Sequence, residues 1–188
     1  MSPRIESEKG EQEAILEAAK IMQVAARTAP KTAGIDDILT LIVYGEEKDA
    51  IAEKMNEIAE QRNIDGFKRD AKNVKDSEAV LLLGVRGRKS IGLNCGACGY
   101  KSCKEFEETQ KKIGQDFTGP TCVFKALDLG IALGSAVKIA SMLNVDNRIM
   151  YRIGTAALKL NLMSEATVVM GIPLSAKGKN IYFDRKWP

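Results

Sequence analysis

All four cysteines of the chain stand in one stretch, at Cys95-x2-Cys98-x4-Cys103-x18-Cys122, and its 188 residues contain no histidine. These two facts constrain the fold more than any others, because a loop that gathers four thiols must wrap around whatever they hold. Without imidazole there is no Ser-His-Asp triad, no Cys-His dyad, no HExxH zinc site and no histidine proton shuttle. Mixed Cys/His zinc sites and Rieske-type clusters fall away for the same reason. Metal chemistry is left to cysteine and carboxylate.

A cubane iron–sulfur cluster takes three thiolates from one wrapped loop and a fourth from a segment that folds back, which is the spacing seen here. Within the loop, Gly96 and Gly99 can adopt positive φ and let backbone N–H groups approach sulfur. Arg86, Arg88, Lys89, Lys101 and Lys104 would offset the negative charge of four thiolates and raise the reduction potential. Structural zinc also takes four thiolates, but usually as two Cys-x2-Cys hairpins, so zinc ranks second. Two disulfides would suit a secreted chain. Four unrelated buried thiols would scatter along the sequence. The residues expected to hold metal are therefore Cys95, Cys98, Cys103 and Cys122.

The remaining composition narrows the setting. Lys and Arg outnumber Asp and Glu by 28 to 25, a formal charge of +3, so no nucleic-acid partner is expected. The N-terminus turns acidic at Glu6 without an apolar core, unlike a signal peptide. The most apolar stretch, Cys122 to Leu143, is interrupted by Lys125, Asp128 and Lys138 and is no membrane span. A cytoplasmic protein with reduced thiols is expected.

Apolar spacing predicts a helix over 11–29 with a narrow stripe of small residues, stopped by Pro30. A strand is expected at Ile38 to Tyr44, an amphipathic helix at Glu46 to Arg62 and a shorter one around Phe67 to Asn73. Ala79 to Val85 has no polar alternation and reads as a strand buried on both faces. A short helix is expected from Ser102 to Ile113 and a long one from Cys122 to Leu143. Asp146 reads as the N-cap of a helix reaching Leu160. Glu165 to Met170 is expected as a strand, and Ile172 to Pro188 as a tail or edge segment. With no repeat and no long linker, residues 1–188 read as one α/β or α+β domain. A cluster-binding segment, 92–124, is embedded in it.

Other features carry plainer readings. Gly84-Val85-Arg86-Gly87-Arg88 lacks the pattern of a phosphate loop. The Lys/Glu mixture from Glu46 to Lys75 reads as a solvated face. Glu105, Glu107 and Glu108 beside the motif read as exposed charges on a short helix before they read as proton carriers.

The motif Cys95-Gly96-x-Cys98-Gly99-x3-Cys103, with Phe106 three residues on and Cys122 beyond, resembles the four-iron four-sulfur domain of corrinoid iron–sulfur proteins. It is similar also to one subunit of bacterial electron-transport complexes. In those families proline often follows the last cysteine; here Val123 does, and Pro120 lies two residues before Cys122. Over its whole length the chain resembles an uncharacterised prokaryotic family of ferredoxin-domain proteins. That likeness rests on Ala25-Ala26-Arg27-Thr28-Ala29-Pro30-Lys31-Thr32, the cysteine motif, and the stretch from Leu127 to Ala136. It implies a [4Fe-4S] cluster and no assigned reaction.

The order of elements, with the first helix ending Ala-Ala-Arg-Thr-Ala-Pro, resembles the nitroreductase fold. That resemblance implies an α+β sandwich, a nitroreductase-like central sheet flanked by helices, with the cysteine-rich segment inserted. It makes Arg27, Lys31 and Thr32 candidate contacts for FMN, and it implies a homodimer in which Gly130 and Gly134 allow close helix packing. The family's Asn-x-Gln-Pro-Trp is replaced by Gly34-Ile35-Asp36-Asp37-Ile38, and its basic N-terminal pair is absent. The expectation is an iron–sulfur redox protein, a possible oxidoreductase, passing single electrons to a partner or bound cofactor. The alternatives are a structural zinc or cluster-sensing module, and a flavin-dependent reductase with an accessory cluster.

Overall fold

The computed structural model describes residues 3–183. The chain opens with α1 (Ser7–Thr28), a 3-10 turn at Thr32–Gly34 and β1 (Ile38–Tyr44). Then come α2 (Gly45–Arg62), α3 (Asp65–Lys75) and β2 (Ala79–Val85). After a long loop follow α4 (Cys103–Glu108) and a small hairpin, β3 (Lys112–Ile113) with β4 (Thr118–Gly119). The chain continues through α5 (Val123–Met142), β5 (Asp146–Asn147), α6 (Tyr151–Lys159) and β6 (Val168–Ser175). The main sheet is antiparallel in the order β1-β2-β6-β5.

β2 explains the layering. Every residue in it is buried, because successive side chains point to opposite faces and both faces are covered. Val80 and Leu82 enter a core with Ile51 and Met55 of α2, Phe67 and Val74 of α3, and Ile153 of α6. Ala79, Leu81, Leu83 and Val85 enter a second core with Ile15 and Met22 of α1 and Leu129, Leu133 and Ala136 of α5. The result is a three-layer α+β sandwich, α1 and α5 on one side of the sheet and α2, α3 and α6 on the other. Small residues set the closest approaches. A Cβ on Gly154 would lie 1.7 Å from the carbonyl oxygen of Val169, so α6 rests against the backbone of β6.

Three expectations are corrected. Asp146 caps no helix: its backbone pairs with Ser175 in β5–β6, its carboxylate accepts from Asn180 Nδ2 at 2.8 Å, and α6 starts only after Met150. Ile172 to Ser175 is not a tail or edge but the second half of β6, held between β2 and β5. Gly171 and Pro173 weaken it as a strand in isolation, and pairing plus burial override them. Past β6 the chain continues without helix or strand to Phe183, with Tyr182 buried, and 184–188 lies outside the described residues. The helix expected to reach Ile113 ends at Glu108, where Thr109 Oγ1 donates to the carbonyl of Glu105 at 2.8 Å and the chain turns into the β3–β4 hairpin. Among the described residues, no helix is long and apolar enough to cross a membrane.

Candidate metal centre

The segment between β2 and α5 carries the four cysteines. Cys95 and Cys98 lie on the loop, Cys103 is the first residue of α4, and Cys122 immediately precedes α5. All four line one small pocket, together with Ser90, Ile91, Leu93, Tyr100, Val123 and Phe124. They form a gradient of exposure: Cys95 is exposed, Cys98 and Cys103 are half-buried, and Cys122 is buried. All four are free thiols.

Local sequence shapes this cradle. Gly96 and Gly99 take φ of 74° and 87°, as their lack of a side chain allows. Asn94, at φ 48°, joins the cradle from both ends. Its backbone N–H donates to Cys103 Sγ at 3.3 Å, and its side-chain oxygen accepts from the Cys103 N–H at 2.8 Å. Ser102 caps α4 by accepting from the Glu105 N–H at 3.2 Å, and Glu105 accepts from the Lys101 N–H at 3.0 Å. Phe106 anchors α4 from a fully buried position, with the Tyr100 ring edge-on at 5.7 Å between centroids.

The rear wall is built by Gly87. Its carbonyl accepts from the Cys122 N–H at 3.1 Å, and its N–H donates to Thr167 Oγ1 at 3.1 Å. A Cβ there would stand 2.3 Å from Thr121 Cγ2 and 2.4 Å from Thr167 Oγ1. Only glycine lets the chain pass between the sheet and the last cysteine.

Electrostatics favour thiolate at the half-buried end. The Ser90 hydroxyl, then the N–H groups of Asn94 and Gly92, hold the Cys103 thiol below its ordinary range, against partial burial and the Glu107 charge. Ser90 is itself placed by Glu107, which accepts from its N–H at 2.8 Å and lies 2.7 Å from its hydroxyl, whose one proton serves either Glu107 or the Cys103 sulfur. That pairing lowers the Glu107 carboxyl. Lys111 stands 3.7 Å from the centre of the Phe106 ring, and burial lowers its ammonium, opposed by the charges of Glu107 and Cys98. Of the cations expected around the cradle, Arg86 pairs with Glu165 at 2.5 Å and Lys104 with Glu108 at 3.9 Å, while Arg88, Lys89 and Lys101 are exposed.

Four free thiols around one pocket, a backbone N–H on one sulfur and one thiol biased toward thiolate are a donor set that fits an iron–sulfur cluster. Among the described residues, no three Cys, Asp or Glu side chains close on a single point as one metal ion would need.

The candidate flavin contacts are otherwise engaged. Arg27 donates to Asp36 at 2.5 Å and to the Ile38 carbonyl at 2.8 Å. Lys31 donates to the carbonyls of Arg27 and Ala29 at 2.5 and 2.8 Å. The N–H and hydroxyl of Thr32 both donate to Asp128, at 3.0 and 2.8 Å, tying this loop to α5. The loop therefore does not fit an FMN phosphate: the donors of Lys31 and Thr32 are satisfied within the chain, and exposed Arg27 is neutralised by Asp36.

Sequence reasoning assigned no role in this site to Ser90, Asn94, Gly87 or Lys111. Asn94 carried a signal, since asparagine before a tight cysteine loop tolerates left-handed backbone. The Ser90–Glu107 and Gly87–Thr167 pairings join residues far apart in sequence and leave no local trace.

Comparison with known proteins places this geometry. A family profile described as "Uncharacterized protein containing a ferredoxin domain (DUF2148)" matches residues 118–185, which include Cys122. A second, for a candidate Fe–S cluster, matches residues 92–109 and so spans Cys95, Cys98 and Cys103. An uncharacterized protein of Archaeoglobus fulgidus is 55% identical over 168 residues, covering 89% of this chain and 90% of its own. In structure the chain is similar to the nitroreductase CinD from Lactococcus lactis, solved in complex with nicotinic acid. That match has a TM-score of 0.59 at 14% identity, over 95% of this chain and 82% of that one. It is similar also to an oxidoreductase containing FMN (TM-score 0.54, 16% identity, 87% of this chain and 67% of that one). At such identities these two show the fold alone, which is nitroreductase-like. The protein belongs to the family of uncharacterized proteins containing a ferredoxin domain.

Proposed function

We propose that Cys95, Cys98, Cys103 and Cys122 hold one [4Fe-4S] cluster, and that the protein is a cytoplasmic electron carrier serving a redox partner. The observation that carries this reading is the single pocket lined by all four free thiols, graded from exposed Cys95 to buried Cys122. The cluster, when bound, supplies one-electron oxidation and reduction. Cys122 and Gly87 tie the inner side to the scaffold, while exposed Cys95 brings the outer side within reach of a docked partner. The Asn94 N–H disperses charge from Cys103, and Lys111 adds a cation near Cys98.

Anaerobically purified protein should be brown, with about four irons per chain, and should cycle reversibly with dithionite. Colourless protein with stoichiometric zinc overturns the reading in favour of a structural zinc module. Iron–sulfur protein that does not cycle points to a sensor. Yellow protein that releases flavin on denaturation would restore the flavin reductase, against the engagement of Arg27, Lys31 and Thr32 within the chain.

We propose further that the protein is a homodimer through α1 and α5. These helices pack on each other and leave Ile21, Val24, Leu127 and Ile131 exposed. Gly130 and Gly134 lie on the outer side of α5, with nothing from the chain within 4 Å of an added Cβ. Light scattering should give twice the chain mass of 20.5 kDa; a monomer at micromolar concentration overturns this.

A further inference from the structure

Beside the cysteine cradle lies a second concavity, of about 470 Å³, whose chemistry differs from the first. Its floor is one buried ion pair: Lys125, only 3% exposed, pairs with Asp37 and donates to the Arg86 carbonyl at 3.3 Å. Arg86 pairs with Glu165 at 2.5 Å on the exposed side of the concavity. Its rim carries Arg88 and Lys89, both exposed and, among the described residues, in no ion pair. Lys89 feels Glu107 only at longer range. Four cations thus face two carboxylates, and the uncompensated charge sits at the mouth. Lys125 is held by its buried pair with Asp37, so this part of the charge pattern exists before anything binds.

We infer that this concavity is a binding site for a small oxyanion-bearing molecule, a phosphate ester or a polycarboxylate, held by Arg88 and Lys89 over the buried Lys125–Asp37 pair and beside the exposed Arg86–Glu165 pair. Guanidinium and ammonium groups at one mouth match the paired oxygens of phosphate and carboxylate. The volume falls within the roughly 300–1,000 Å³ of small-molecule sites. A flat acidic protein surface would meet only the rim and leave the floor untouched. The site shares walls with the cysteine cradle: Lys89 adjoins Ser90, and Lys125 lies one helical turn beyond Cys122, about 4.5 Å along the axis. Coupling between ligand and cluster rests on the function proposed above; binding of the anion does not.

The test is calorimetric titration of the protein as purified, at low salt, with pyrophosphate and, separately, with citrate. The expected result is saturable binding of at least one, weakened about tenfold or more by Arg88→Ala and further by Arg88→Ala with Lys89→Ala. Both side chains are exposed, so these variants should melt like the parent. Preference for pyrophosphate marks a phosphate ligand, and preference for citrate a carboxylate. Absence of saturable binding by either, or affinity unchanged in the double variant, overturns the inference. Binding of polyglutamate alone overturns it also and moves the patch to an acidic protein partner. Brown protein that binds neither anion sinks the pocket and spares the cluster; colourless protein that binds does the reverse. In iron-loaded protein, ligand should alter the electron paramagnetic resonance spectrum of the dithionite-reduced sample, and should not do so in the double variant.

Discussion

Replacing Gly87 by alanine tests the link between scaffold and cysteine cradle at its narrowest point. The new methyl would stand 2.3 Å from Thr121 Cγ2 and 2.4 Å from Thr167 Oγ1. Carbon contacts are comfortable at roughly 3.5–4.0 Å, so more than an ångström must be recovered. Thr167 is fully buried; its hydroxyl donates to the Val85 carbonyl at 3.2 Å and accepts from the Gly87 N–H at 3.1 Å. Swinging it away would lose both bonds, at about 1 kcal/mol each. The cheaper response is to push Thr121 outward, which drags Cys122 with it and breaks the 3.1 Å bond from its N–H to Gly87. Overpacking of this kind costs about 1–3 kcal/mol, and the lost hydrogen bond about 1 more. The expected total is ~2–4 kcal/mol, a drop in melting temperature of roughly 5–15 °C for a chain of this size. Iron per folded chain should fall with it, because Cys122 no longer meets its three companions. Adding Thr121→Ser removes the methyl at 2.3 Å and keeps the hydroxyl that donates to the Thr118 carbonyl. The pair should therefore recover about 1 kcal/mol over the sum of the single changes, with part of the iron. Thermal denaturation and iron analysis of the four proteins decide the matter. Gly87→Ala with parental melting temperature and iron content refutes the reasoning.

Four further outcomes are expected. Asn94→Gly keeps the left-handed backbone and loses the side-chain bond to the Cys103 N–H, whereas Asn94→Ala loses both; iron content should fall in the order parent, glycine, alanine. Cys98→Ser should abolish the visible spectrum and leave the melting temperature within a few degrees of the reconstitution-free parent, checked by absorbance and circular dichroism. Burial pushes the Tyr182 hydroxyl well above its usual value, against the Ser77 hydrogen bond. A raised folded-state value means that its contribution to stability is whole below about pH 10, the unfolded value, and is lost as pH rises from there toward the folded-state value. Denaturant titrations of Tyr182→Phe should thus decline less steeply above pH 10 than those of the parent. Gly134→Leu should convert the proposed dimer to monomer in light scattering; in a protein already monomeric it would only raise helix stability, by up to about 1 kcal/mol.

The gathering of the four cysteines was legible in their spacing, and all four line one pocket; β2 was legible because burial on both faces removes every polar residue from Ala79 to Val85. The long α5 was legible from its largely apolar composition, to within a residue at each end. What could not be read depends on partners distant in the chain. Asp146 has the side chain of a helix cap, and only the pairing of its backbone with Ser175 decides otherwise. Ile172 to Ser175 contains a proline and follows a glycine, yet β2 on one side and β5 on the other make it an inner strand. Arg27, Lys31 and Thr32 were candidate flavin contacts by resemblance, and their hydrogen bonds to Asp36, backbone carbonyls and Asp128 are visible only in three dimensions.

The two apolar cores on either face of the sheet contain no cysteine except by neighbourhood: neither includes Cys95, Cys98, Cys103, Cys122 or even Phe106, which packs apart with Tyr100. The mass of the protein is therefore held together by side chains that are indifferent to iron. If the proposed cluster is held, such a shell would fold first and receive its inorganic part afterwards; it would then outlast oxidative loss of that part and be refilled, a repair open only to proteins whose folding and metallation are separate events.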